Sequence, residues 1–110
     1  MFEVFQSEKN NKFYFNLKAK NGQIILSSQG YADKGGAMNG IESCKKNAPD
    51  DSKFERKTAA NGKFHFNLKA GNGQIIGSSQ MYASEAGMEN GIDSVKNNAP
   101  DAEVKEVAAE

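Results

Sequence analysis

Apolar and polar positions alternate from Lys12 to Ala19, with Phe13, Phe15, Leu17 and Ala19 set between Lys12, Tyr14, Asn16 and Lys18. A period of two sends successive side chains to opposite faces, so this run predicts a strand with one buried face. Asn21-Gly22 follows, and Asn-Gly after an alternating run predicts a two-residue type I′ hairpin into a partner strand, Gln23–Ser28. Upstream, Phe2–Gln6 reads as a further strand that turns through Lys9-Asn10-Asn11. The period then changes: Ala37, Ile41, Cys44 and Ala48 recur at helical spacing behind Asp33, a good N-cap, and Pro49 stops the helix. Asn39-Gly40 alone would read as a turn, and a mid-helix glycine costs about 0.5–1 kcal/mol relative to alanine. The apolar stripe nevertheless runs unbroken through the pair. Gly36 and Gly40 then share one face, where the backbone is expected to pack closely on the sheet.

The whole pattern returns after 51 residues. Lys63–Ala70, Asn72–Ile76 and Asn98–Asp101 repeat Lys12–Ala19, Asn21–Ile25 and Asn47–Asp50, and Ser84 takes the capping place of Asp33 before Met88, Ile92, Val95 and Ala99. Phe54–Thr58 opens the second copy, turning through Asn61-Gly62 with one residue fewer than the first, so the two turns must differ. Further strands are expected over Ser52–Lys57 and Glu103–Val107. The middle one ends the first unit and starts the second; the last has no third unit to enter and is expected to cross back. Units of this size bury too little surface to stand alone, so residues 1–110 are read as one domain with repeats 1–52 and 53–110. The fold class is α+β: tandem β3-αβ repeats forming one antiparallel sheet with two helices packed on one face. The expected core is Phe13, Phe15, Leu17, Ile41, Cys44, Phe64, Phe66, Leu68, Ile92 and Val95, with Ile25 and Ile76. Leu26 becomes Gly77 in the second copy and so reads as peripheral, and residues 108–110 are expected to fray. A chain that carries its own symmetric partner is expected to be a monomer.

Phe-Asn-Leu-Lys-Ala, Asn-Gly-Gln-Ile-Ile-x-Ser-Ser-Gln-x-Tyr and Gly-Ile-x-Ser-x-Lys-x-Asn-Ala together resemble the YegP-like family, small uncharacterised bacterial proteins whose domain of unknown function often occurs in tandem. The resemblance covers nearly the whole chain, twice. It implies that the two β3-αβ units share one sheet and exchange their C-terminal strands. It implies no activity and no catalytic residues. Gly35-Gly36 departs from the helix formers expected there and loosens the first turn of the first helix.

Charge changes the picture more than composition does. Fourteen basic and fourteen acidic side chains cancel, which argues against a polybasic nucleic-acid binder but not against a locally basic face. Lys9 to Ala32 holds four lysines and no acid; Arg56 to Ala83 holds three lysines, one arginine and no acid; Ser84 to Glu110 holds seven acids and two lysines. On the outward strand faces Lys12, Tyr14, Asn16 and Lys18 are matched by Lys63, His65, Asn67 and Lys69, a pattern suited to phosphate neutralisation with stacking or amide readout. These eight residues are the candidate partner-binding face, for a nucleic acid or an acidic protein. The alternative is a structural or protein-interaction domain that uses the helix side or a sheet edge and binds no nucleic acid.

Enzymatic chemistry is not expected. A nucleophile needs a base within reach, yet Cys44 lies on a helix stripe and His65 on the opposite sheet face. A single cysteine leaves no disulfide framework, and one Cys with one His makes no zinc site. Phosphate-loop patterns are missing. The repeated Ser27-Ser28-Gln29 and Ser78-Ser79-Gln80 read as strand ends, and Glu42, Asp93, Asp50 and Asp101 as solvated or capping carboxylates. No metal or cofactor is expected. Without a signal-like or membrane-length apolar run, a cytoplasmic protein fits best. Because the second copy already uses Val95 where the first has Cys44, Cys44→Val should change stability at neutral pH by no more than about 1 kcal/mol, read by urea denaturation.

Overall fold

The meander of the first repeat is β1 (Phe2–Gln6), β2 (Phe13–Lys18) and β3 (Ile24–Ser28), followed by α1 (Lys34–Asn47). A single 3-10 turn over Asp51–Lys53 leads into β4 (Phe54–Thr58), β5 (Phe64–Lys69), β6 (Ile75–Ser78), α2 (Glu85–Asn98) and β7 (Val104–Glu106). This computed structural model describes residues 1–107; the expected fraying of 108–110 lies outside the described residues. One seven-stranded sheet has the order β4-β5-β6-β3-β2-β1-β7, with both helices over the same face. Six strands are antiparallel, but β7 joins β1 in parallel, so the sheet is mixed rather than antiparallel throughout. The expected crossing is present: β7 leaves the second repeat and pairs Phe2 with Val104 and Glu3 with Lys105. It runs in one direction only, because the chain leaving α1 becomes the first strand of the second repeat.

The Asn-Gly loops are longer than two residues. Gly22 N–H donates to the Ala19 carbonyl and Ala19 N–H to the Gln23 carbonyl, both at 2.9 Å, enclosing Lys20-Asn21-Gly22. Only the glycine has positive φ, at 84°, so Lys20-Asn21 forms a type I turn and Gly22 the left-handed residue behind it. Type I′ would need positive φ at Asn21 too; its carboxamide instead accepts Gln23 N–H at 3.0 Å. Asn61-Gly62 and Asn72-Gly73 repeat the arrangement. The longer β1–β2 loop closes with Asn11 at φ 59°, which accommodates the extra residue.

Phe2, Phe15, Leu17, Ile41, Cys44, Phe66, Leu68, Ile92 and Val95 are buried between sheet and helices, while Phe13 and Phe64, expected in the core, are only half-buried at its margin. A β-bulge explains two adjacent buried residues in β3. Leu17 faces Leu26 and Lys18 faces Ile24, which leaves Ile25 extra; Lys69 and Ile75 repeat this around Ile76. Leu26, expected to be peripheral, is fully buried. The pseudo-twofold axis passes between the paired Ser27 and Ser78, where a Cβ on Gly77 would lie 2.8 Å from the Ser27 carbonyl oxygen and 3.0 Å from Leu26 Cγ. One leucine fills the space that two equivalents would have to share.

Asp33 and Ser84 cap their helices by accepting the N–H of Gly36 at 2.7 Å and Gly87 at 3.0 Å, which pins the Gly35-Gly36 turn as helix from Lys34 onward. The mid-helix glycines make room for tyrosine. Tyr31 and Tyr82 stack on Phe15 and Phe66 at 6.2 and 6.3 Å. A Cβ on Gly40 or Gly91 would come within 2.3 Å of the tyrosine hydroxyl. Helix propensity alone says that Gly40→Ala stabilises by about 0.5–1 kcal/mol; overpacking costs about 1–3 kcal/mol. The clash should win, and Gly40→Ala should lower the urea midpoint.

Candidate binding face of the sheet

Opposite the helices, one row of side chains crosses seven strands in direct register: Lys105, Glu3, Asn16, Ser27, Ser78, Asn67 and Glu55. Between its two glutamates the row is a palindrome about the pseudo-twofold axis. Tyr14 pairs with Phe5 in the next row, and His65 with Lys57. Thus Tyr14, Asn16, Lys18, His65, Asn67 and Lys69 do share the helix-free face, with Lys12 and Lys63 exposed just ahead of β2 and β5.

The structure adds two carboxylates to that face. Glu3 pairs with Lys18 at 3.0 Å and Glu55 with Lys69 at 2.9 Å. Hydrogen bonds from the Lys69 ammonium and then the Asn67 amide hold the Glu55 carboxyl below the usual carboxylate range. Asn67 is 6% exposed and is therefore not the open readout group its outward position implied. It donates to Glu55 at 3.1 Å and accepts the Ser78 hydroxyl at 2.6 Å. Its amide serves the sheet. Tyr14 stacks on Phe5 at 5.9 Å and its hydroxyl accepts Asn10 Nδ2 at 2.9 Å. His65 Nδ1 is buried without a hydrogen-bond partner. Lys12 and Lys63 have no acidic partner among the described residues.

Sequence reasoning missed Glu3 and Glu55 because they belong to neighbouring strands, and cross-strand register is not written in any one strand. It also missed Ile24 and Ile75, 42% and 39% exposed, opposite Lys18 and Lys69. The repeated Ile-Ile was the available signal, but the bulge that separates its members shows only in the strand register.

The other candidates have structural work. Ser28 Oγ accepts Phe15 N–H at 2.8 Å and donates to the Gln29 carbonyl; Ser79 does the same for Phe66 and Gln80. The hydroxyl replaces a ladder carbonyl while the strand peels away, and pairing resumes at Tyr31 with Phe13 and Tyr82 with Phe64. Asp50 caps the 3-10 turn through Ser52. Cys44 and His65 lie on opposite sides of the sheet, and no cluster of three or more His, Cys, Asp or Glu able to hold a metal occurs among the described residues. No helix among them is long and apolar enough to cross a membrane.

Both repeats, residues 8–55 and 59–106, match the family described as a domain of unknown function, DUF1508. The chain belongs to the YegP-like DUF1508 family. It is 60% identical over 106 residues to the UPF0339 protein in the ptx operon 5′ region of Stutzerimonas stutzeri, covering 96% of this chain and 95% of that one. It is 52% identical over 105 residues to UPF0339 protein YegP of Escherichia coli K12, covering 96% and 94%. The solution NMR structure of yegP from E. coli superposes with a TM-score of 0.91 at 51% identity, over 97% of this chain and 91% of that one. A UPF0339 protein of Shewanella oneidensis also gives 0.91, at 48% identity, over 97% and 90%. The E. coli relative is described as a protein of unknown function.

Burial pushes the Cys44 thiol up to about 12, the nearby Lys45 opposing only in part. A folded-state value above the unfolded one gives stability that is present below the unfolded pKa of 9.0 and lost as pH rises toward about 12. Across that window this thiol lowers stability as pH rises, by on the order of 1 kcal/mol per pH unit. Cys44→Val should remove it, so urea denaturation of the variant should show a flatter alkaline limb than wild type.

Proposed function

We propose that this chain is a non-enzymatic binding module whose helix-free sheet face takes an acidic partner, single-stranded nucleic acid. The observation that supports the reading is that the lysines of this face, on both halves of one continuous sheet, outnumber its two glutamates. Tyr14 and the two exposed isoleucines offer flat or apolar contact beside them. Single strands suit such a surface, since unpaired bases stack on side chains while lysines follow the backbone. Asn67 is excluded from base readout by its own hydrogen bonds, so the expected selectivity is weak. A second reading, a protein-interaction domain that binds no nucleic acid, is favoured by the open outer edge of β4.

Titration with short single- and double-stranded oligonucleotides at low salt should move the amides of Lys12, Tyr14, Lys63 and His65, with micromolar affinity or weaker. Affinity should fall steeply with salt as counterions are released. Lys12→Gln with Lys63→Gln should weaken binding by up to about tenfold. Lys18→Gln with Lys69→Gln should cost less, because those lysines are already paired with Glu3 and Glu55. If no oligonucleotide shifts these amides at low salt, the nucleic-acid reading fails.

A further inference from the structure

The pseudo-twofold axis maps β1 onto β4 and α1 onto α2, but it maps β7 onto nothing among the described residues. On β1, Phe2 N–H donates to the Glu103 carbonyl at 2.7 Å and the Val4 carbonyl accepts Val107 N–H at 3.0 Å. The even-numbered residues of β1 therefore turn their backbone groups outward. In β4 the equivalents are Phe54, Arg56 and Thr58. Phe54 N–H is taken by the Asp51 carbonyl of the 3-10 turn; the outward groups of Arg56 and Thr58 have no strand beside them.

That edge is also concave. A cleft of about 330 Å³ lies between the end of β4 and the first turns of α2, lined by Arg56, Lys57, Thr58, Phe64, Glu85, Met88 and Glu89, with Lys57 paired to Glu55 at 3.8 Å. The same place in the first repeat lies beside the end of β7, where Glu106 pairs with Lys34, the first residue of α1. The residue equivalent to Lys34 is Glu85, the first residue of α2. Arg56 beside it is already bound to Glu89 at 2.6 Å and Asp51 at 3.0 Å, and Lys96 also holds Asp51. Glu85 has no cationic partner among the described residues.

We propose that the outer edge of β4 and this cleft form a docking site for an extended basic peptide, which adds to the sheet in parallel as β7 adds to β1. It would place a lysine or arginine against Glu85 where β7 places Glu106 against Lys34. This rests on the interaction-domain reading and not on nucleic-acid binding. The charge reversal also sets the occupant apart from this chain's own last strand: a β7 segment from a second copy would bring Glu106 against Glu85. The partner is therefore a different, basic segment, and strand addition is the recognition mode.

Two acetylated hexapeptides test this on the full chain, Val-Lys-Glu-Val-Thr-Val and Val-Lys-Lys-Val-Thr-Val, which share the start of β7 and differ only where Glu106 stands. The lysine peptide should shift the amides of Arg56, Thr58 and Glu85 saturably, and bind about two- to fivefold more tightly than the glutamate peptide. Glu85→Lys should reverse the preference. Thr58→Pro, which removes an outward N–H at an edge that tolerates proline, should abolish binding of both. The proposal is overturned if neither peptide gives saturable shifts on β4 at millimolar concentration. Shifts on β1 instead, or a preference unaffected by Glu85→Lys, would overturn it as well. The oligonucleotide titration reads the other sheet surface and stands or falls separately.

Discussion

Ser27 and Ser78 meet on a pseudo-twofold axis, through the ladder that joins the two meanders into one sheet. Residues on such an axis face their own equivalents, so a residue used in both repeats must fit against itself. Serine can face serine. Leucine beside it cannot: the space between β3 and β6 admits one Leu26 side chain, and the other repeat leaves a glycine whose missing Cβ would strike backbone at 2.8 Å. Where the two halves of the core meet, the fit depends on this departure from symmetry. Packing at the density of a crystal does not admit a second side chain by small adjustments elsewhere.

Away from the axis the two repeats hold to the same unusual devices. A serine hydroxyl stands in for a ladder carbonyl, the strand peels off, and a tyrosine returns to stack on phenylalanine over a helical glycine. Each part looks unfavourable in isolation. A glycine weakens its helix and a side-chain acceptor interrupts a strand, yet together they bring the helix axis close to the sheet with an aromatic ring between. Local rules are broken where a tertiary contact compensates.

This accounts for what could be read from the residues. Strand and helix periodicities, both N-caps and the proline stops are local, and all were legible. The glycine at position 40 was read as a close approach, but the tyrosine that needs it comes from another element. Leu26 departs from expectation because a substitution between repeats reads as tolerance, whereas the two positions are neighbours across the axis and respond to one another. The loops were misjudged because Asn-Gly serves both the two-residue and the three-residue turn, and flanking hydrogen bonds decide. On the candidate face, alternation correctly grouped Tyr14, Asn16, His65 and Asn67. The glutamates that pair with Lys18 and Lys69 could be found only through register across strands.

The parallel pairing of β1 with β7 joins the first strand of the chain to the last of its described elements, at nearly the greatest sequence separation the fold allows. Loop-closure entropy makes such a contact late to form. During synthesis β1 must therefore wait, with its outer edge unpaired, while the rest of the sheet can already assemble. In that interval the sheet ends on the five-residue β1, where the finished sheet ends on the three-residue β7. Its exposure to strand-mediated association is set by how quickly the β7 residues cross back to β1.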